Sequence, residues 1–181
     1  SYKGFYIDAG AFHPISHSTT YLLYKRGWKG ICIDISQKSC DLIKKNRPKD
    51  LVINAATSDF DGKLYFEQKD SISLTNYASN KSNETDNTIQ ALKLNTILQS
   101  NNINRKIDYL NIDTEGAELQ TLKGLDFNLY EPKVISVEIH SKNVESALKT
   151  ELADYLYSKG YHCVASNVIT FFFIKQKNTS N

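Results

Sequence analysis

Asp113, Glu115 and Glu118 crowd the place where an apolar run, Ile107 to Ile112, gives way to a segment carrying Leu119 and Leu122. A strand that ends in an aspartate and passes at once into a helix delivers carboxylates to a sheet edge. In an open α/β sheet, ligands bind at that edge, outside the carboxyl ends of the strands. An ionised carboxylate there can take a proton from a hydroxyl, or hold a divalent ion that acidifies it. Glu138 and His140 close a second apolar run, Val134 to Ile139, and so belong to the same edge. Histidine is the side chain most easily poised near neutral pH. Asp113 and His140 are therefore the candidate bases or metal-linked residues, with Glu115 as their orienter. His13, His17 and Glu138 are candidate acceptor contacts. Mg²⁺ or Mn²⁺ on Asp113 is the less favoured arrangement, because no spacing here matches a metal motif.

Upstream, Asp8 closes the run Phe5 to Asp8 and Gly10 follows. A glycine at such a bend lets the backbone turn sharply and a ligand approach closely. The loop Ala9 to Pro14 lacks the further glycines of GxGxxG, which counts against a pyrophosphate-bearing nicotinamide cofactor. Asp34 ends the next apolar run, where a carboxylate can accept hydrogen bonds from both hydroxyls of a ribose. Each residue also has a plainer role open to it. Asp34 and Asp113 could cap helices, His140 could bond to backbone, and His13 and His17 could be exposed loop residues.

The elements that position these groups alternate between strand and helix, which predicts a parallel sheet covered on both faces. Strands are expected at Phe5 to Asp8, Gly30 to Ile35, Leu51 to Ala55, Ile107 to Ile112 and Val134 to Ile139. One of Ser18, Thr19 and Thr20 caps a helix that Gly27 stops, and Ser36 caps another running towards Asn46. Gly124 suits the end of the helix after Asp113. Lys63 to Glu67 reads as an added strand, Ile89 to Ser100 as a short strand and one or two helical turns. Asp70 to Asn87 is rich in Ser, Asn, Asp, Lys and Thr and predicts a long mobile loop, a candidate lid. Ala147 to Tyr157 predicts one amphipathic helix. Tyr161 to Ala165 and Ile169 to Ile174 predict a terminal hairpin turning at Ser166-Asn167.

Two blocks carry a family likeness: Asp8-Ala-Gly-Ala-Phe-His13-Pro14-Ile-Ser-His-Ser18-Thr-Thr20, continuing through Gly27-Trp28-Lys-Gly30, and Asp113-Thr-Glu115-Gly116-Ala-Glu118. Together they resemble the FkbM-type family of S-adenosylmethionine-dependent methyltransferases, over about Phe5 to His140. The resemblance implies a Rossmann-like class I methyltransferase fold, with a mostly parallel seven-stranded sheet, helices on both faces and an antiparallel C-terminal hairpin. It implies that Asp8, Ala9 and Gly10 hold the methionine end of the cofactor and Asp34 its ribose. Ala55, Ala56 and Asp59 match the adenine contacts, and Asp113 stands next to the transferable methyl. In that family Asn commonly stands at or beside the position of Phe12. The implied acceptors are hydroxyls of surface-glycan sugars or of natural products.

Bulk properties narrow the rest. A chain of 181 residues suits one domain, and the missing methionines point to a domain cut from a longer chain. The net charge of +2, with no basic stripe, gives no reason to expect nucleic acid. No apolar run approaches the length of a membrane span. Cys32, Cys40 and Cys163 are odd in number without CxxC spacing, which favours free thiols and a cytoplasmic setting, with Cys32 a core residue. The expectation is an S-adenosylmethionine-dependent O-methyltransferase acting on a saccharide or small-molecule hydroxyl. Its rival is a non-catalytic cofactor- or glycan-binding module of a larger glycan-synthesising protein.

Overall fold

The computed structural model describes residues 2–66, 78–79 and 87–176. In chain order its first elements are β1 (Phe5–Ala9), α1 (Tyr21–Lys25), β2 (Lys29–Asp34), α2 (Gln37–Asn46), β3 (Leu51–Asn54) and β4 (Ala56–Thr57). Next come β5 (Gly62–Phe66), β6 (Ala78–Ser79), β7 (Asn87–Leu92), α3 (Leu94–Ser100), β8 (Tyr109–Ile112) and α4 (Glu118–Lys123). The chain ends in β9 (Val134–Glu138), α5 (Val144–Ala147), α6 (Glu151–Ser158), β10 (Tyr161–Asn167) and β11 (Thr170–Lys175).

Seven strands form the main sheet in the order β10-β11-β9-β8-β1-β2-β3. Parallel pairing joins β3, β2, β1, β8 and β9, while β11 runs antiparallel between β9 and β10. Central β1 is buried along its whole length, as a parallel strand covered on both faces must be. Its alternate residues serve two different layers. Phe5 and Ile7 join Ile31, Leu110 and Ile135 against Leu98 of α3, Leu122 of α4 and Leu156 of α6. Tyr6 joins Cys32 against Ile43 of α2 and Leu23 and Tyr24 of α1. Burying each large apolar side chain contributes about 1.5–3 kcal/mol, so both helix layers are held. This is the covered parallel sheet that the alternation predicts and the Rossmann-like architecture that the resemblance implies. The strand order reverses between β1 and β8, since the chain leaves β1 towards β3 and returns on the other side. That reversal opens the crevice in which ligands of such sheets bind.

A second sheet, β4-β7-β5-β6, stands beside the first, with Ala56, Leu64, Ile89 and Ala91 as its core and Ile35 packed against it. The expected strand at Lys63 to Glu67 is β5, and Ile89 to Ser100 holds the end of β7 followed by α3. Of the expected loop Asp70 to Asn87, only Ala78, Ser79 and Asn87 lie within the described residues.

Two local expectations need correction. The helix expected over Ala147 to Tyr157 is two helices, because the Thr150 hydroxyl accepts from Ala153 N at 3.3 Å and restarts the chain as α6. The terminal hairpin turns at Val168-Ile169 rather than Ser166-Asn167. A bulge between Cys163 and Ala165 shifts the register, so Asn167 pairs with Thr170. Gly124 ends α4 as expected, in ordinary right-handed geometry. A glycine is required there because a Cβ would overlap the Ser58 carbonyl.

All three cysteines are free, Cys32 and Cys40 being buried. Among the described residues no helix is long and apolar enough to cross a membrane.

Candidate active site

The crevice is built around Gly10. Its N–H and that of Ala11 both bond to the Ile33 carbonyl, at 2.9 and 3.1 Å, while Asp113 N bonds to Ala9 O at 2.9 Å. The loop leaving β1 is thus stitched to the ends of β2 and β8 at once. Gly10 has φ +81, and a Cβ would overlap the Asp113 carbonyl, so any larger residue would force the two loops apart. Phe12 N then donates to Asp34 Oδ2 at 2.8 Å, and Ser36 N donates to Asp34 Oδ1 at 2.8 Å. Asp34 therefore joins the end of β2 to the β1 loop. Burial raises its pKa against the lowering effect of these two N–H donors. Each oxygen keeps a further lone pair, enough for the two hydroxyls of a ribose. Phe12 has φ +45, a left-handed conformation that asparagine enters several times more readily than phenylalanine.

Asp8 lies differently. It is 2% exposed and turned inward, its oxygens taking hydrogen bonds from Thr20 Oγ1 at 2.5 Å and Asn111 Nδ2 at 2.9 Å. Burial raises its pKa, and those two donors oppose the rise. Its carboxylate underpins the loop from below.

The ends of β8 and β9 bring Asp113, Glu115, Glu118, Glu138 and His140 together. Burial first, then the charges of Glu138, Glu115 and Glu118, push the Asp113 carboxyl up to about 7. Glu138, which follows on the adjacent strand at the register position beside Asp113, is the largest of these charge contributions. His140 Nε2 stands 3.6 Å from Glu138 Oε2, on the exposed side of the pair. Glu115 is raised by burial and by Glu138, and lowered by His140. It has φ +53, a backbone conformation that L residues avoid and that gathers at functional sites. Glu118 belongs to the frame. It accepts from Thr114 N at 3.1 Å and Gly116 N at 3.0 Å, closing the loop that opens α4.

The remaining sequence candidates are placed less centrally. His13 Nδ1 accepts from Ile15 N and Ser16 N at 3.2 and 3.0 Å, shaping its own turn, while exposed His17 meets the Phe12 ring at 6.5 Å between centroids. Ala55 N bonds to the Asp34 carbonyl and stays beside the crevice. Ala56 passes into β4, and Asp59 follows Ser58, whose carbonyl lies against Gly124 at the far end of α4. Among the described residues no group of three or more His, Cys, Asp or Glu side chains is arranged to hold a metal ion. The donor set does suit a nucleoside sulfonium: Asp34 offers acceptors for a diol, and the acidic rim favours a cation.

Sequence reasoning missed the layer beneath the loop, formed by Arg47, Asp50, Tyr6, Thr20 and Asn111. Thr20 reads as a helix cap, yet it makes no cap hydrogen bond to α1. Its hydroxyl is directed to Asp8 instead. Only the spacing Arg47 to Asp50 hinted at a local ion pair.

Comparison with known proteins bears on the family of the chain. No curated protein matches the sequence. Among solved structures, a TehB-like SAM-dependent methyltransferase from Corynebacterium glutamicum aligns over 97% of this chain and 83% of its own, at 11% identity and a TM-score of 0.48. A likeness at that level carries no argument by itself. The family model for the methyltransferase FkbM domain matches residues 8–163, from the end of β1 into β10. The chain therefore belongs to the FkbM methyltransferase domain family, whose chemistry is methyl transfer from S-adenosylmethionine.

Proposed function

We propose that this domain is an O-methyltransferase that moves the methyl group of S-adenosylmethionine to a hydroxyl, most simply of a sugar in a surface glycan. The observation that carries the reading is the Asp113–Glu138 carboxyl pair, at the ends of adjacent strands and beside Gly10 across the crevice. Asp34 accepts from the ribose, Ala9 and Gly10 leave room for the methionine end, and Asp8 holds their loop in shape. Ala55 adjoins the adenine, with Ala56 and Asp59 further along the same connection.

Bound S-adenosylmethionine supplies a methyl group already activated on a sulfonium. The protein has then to align the acceptor oxygen and remove its proton. Asp113 would take that proton as the methyl group passes to the acceptor oxygen. Glu138 and, on the solvent side, His140 line the route by which the proton reaches water. Glu115, held in its unusual backbone conformation, orients the pair. A base with a pKa close to the working pH is well matched to this task, and contributes about 10²–10⁴-fold. His13 and His17 at the crevice mouth are acceptor contacts. A cytoplasmic site of action accords with three free thiols.

The test is release of S-adenosylhomocysteine with a panel of mono- and oligosaccharides, followed by mass spectrometry of the acceptor. Methyl ethers on sugar hydroxyls support the reading. Cofactor binding with no turnover on any hydroxylated acceptor returns the domain to the class of binding modules.

A further inference from the structure

Beneath the β1–α1 loop lies a hydrogen-bonded chain that the proposed chemistry does not use. Arg47 has no exposed surface, although it follows directly on α2. Its Nε donates to Asp50 Oδ2 at 2.8 Å and its Nη1 to Ser18 Oγ at 3.2 Å. Its Nη2 donates to Tyr6 OH at 2.8 Å and to Thr20 Oγ1 at 3.0 Å. The rings of Tyr6 and Tyr24 flank the guanidinium, each 5.4 Å away. Because Thr20 Oγ1 accepts from Arg47, its own hydrogen goes to Asp8. Asp8 also takes a bond from Asn111, whose Oδ1 accepts from Ser136 Oγ at 2.6 Å. One polar chain thus runs from Asp50 through Arg47, Thr20, Asp8 and Asn111 to Ser136, across α2, β1, β8 and β9.

Its position gives it a use. The loop over residues 10–20 is fastened at its start to Ile33 and Asp34. At its far end Ser18 and Thr20 are held by Arg47 and Asp8. The helix that follows is short: α1 has five residues, none fully buried, and it packs on the core through the partly buried Leu23 and Tyr24. Thr20 gives α1 no cap, so its hydroxyl works for the chain beneath rather than for its helix. A planar guanidinium with fixed donor directions sets such a geometry where an ammonium would not.

We propose that Arg47 and Thr20 are positioning residues for the cofactor loop, setting through this buried chain the loop shape that binds S-adenosylmethionine. The proposal rests on the reading of residues 8–10 as the methionine side of the cofactor site. It assigns neither residue a contact with the cofactor.

The experiment is calorimetric titration of the whole chain with S-adenosylhomocysteine, alongside thermal melting, for wild type, Thr20→Val, Thr20→Ser, Arg47→Lys and the double variant Thr20→Val with Arg47→Lys. Thr20→Val should weaken binding about tenfold, as loss of a bond to a charged partner does. Thr20→Ser should stay near wild type. Arg47→Lys should weaken binding comparably, and the double variant should lose less than the product of the two singles, because both break one chain. Equal affinity for wild type and folded Thr20→Val, or equal loss in the Val and Ser variants, overturns the proposal while leaving the cofactor reading intact. Absence of binding in wild type overturns both. Should Thr20→Val not fold, Ser18→Ala, which removes an outer acceptor of the same guanidinium, decides in its place: a weakened affinity supports the proposal and an unchanged one overturns it.

Discussion

Replacing Asp113 by Asn should stabilise the protein at neutral pH while removing its activity. The carboxyl is pushed from the ordinary value of 3.8 to about 7 by burial and by Glu138, Glu115 and Glu118. At the usual conversion this displacement corresponds to about 4 kcal/mol. Asp113 is partly exposed at the rim, and screening there leaves about 1–2 kcal/mol. The sign follows from proton uptake. Between pH 4 and 7 the folded chain binds a proton at Asp113 that the unfolded chain has lost, so wild-type stability falls as pH rises through this window. Above pH 7 the penalty is complete. An amide carries no such charge, so the advantage of Asp113→Asn should grow from pH 4 to 7 and then level off. For a chain of this size the gain amounts to about 3–6 °C in melting temperature at pH 8, read by scanning calorimetry from pH 4 to 9. The same variant should lose about 10²–10⁴-fold in kcat. A melting temperature at pH 8 no higher than wild type, or a gain that does not shrink on acidification, refutes the crowded-carboxyl reasoning. Full activity refutes its role as base.

Other outcomes follow from the same geometry. In wild type, kcat/KM should rise with pH through an apparent pKa near 7, that of Asp113, and this limb should vanish in Asp113→Asn. Asp34→Ala should weaken S-adenosylhomocysteine binding by about 10–100-fold, from loss of bonds between a carboxylate and two hydroxyls; calorimetry reads it, and an unchanged affinity removes the ribose role. Gly10→Ala should unfold the protein or abolish cofactor binding, because its Cβ would overlap the Asp113 carbonyl. Gly116→Ala, at φ +105 but with nothing within 4 Å, should fold and cost about 1–3 kcal/mol in chemical denaturation, from backbone strain alone. Phe12→Asn should melt no lower than wild type, whereas Phe12→Val should melt several degrees lower, because a β-branched residue resists φ +45 most.

Much of this protein could be read without coordinates, because the signals were local. A strand buried on both faces shows itself as a run such as Phe5 to Ile7, and a helix start as Ser36 followed by an amphipathic stretch. Gly10 marked a sharp turn, and Asp34 and Asp113 marked strand ends. These features placed the sheet, both rim loops and the family likeness. They did not reveal the second sheet as a unit, since β4 is two residues long and its partner β7 lies far along the chain. Nor could periodicity see the break at Thr150 or the bulge after Cys163, where one hydroxyl or one extra residue outweighs the apolar pattern.

The residue types at the rim came from the sequence alone; which way each one faces came from the tertiary structure. Asp8 and Asp34 end adjacent strands and look alike in one dimension, yet Asp8 is turned under the loop to Thr20 and Asn111 while Asp34 joins the loop backbone. Asp113 acquires its character from Glu138, which lies on a different strand. Arg47, an unremarked basic residue at the end of a helix, is buried among groups from three separate segments. Strand and helix propensities act over a few neighbours and are written in order along the chain. Charge coupling and burial depend on distance in space, and only the folded chain sets that distance.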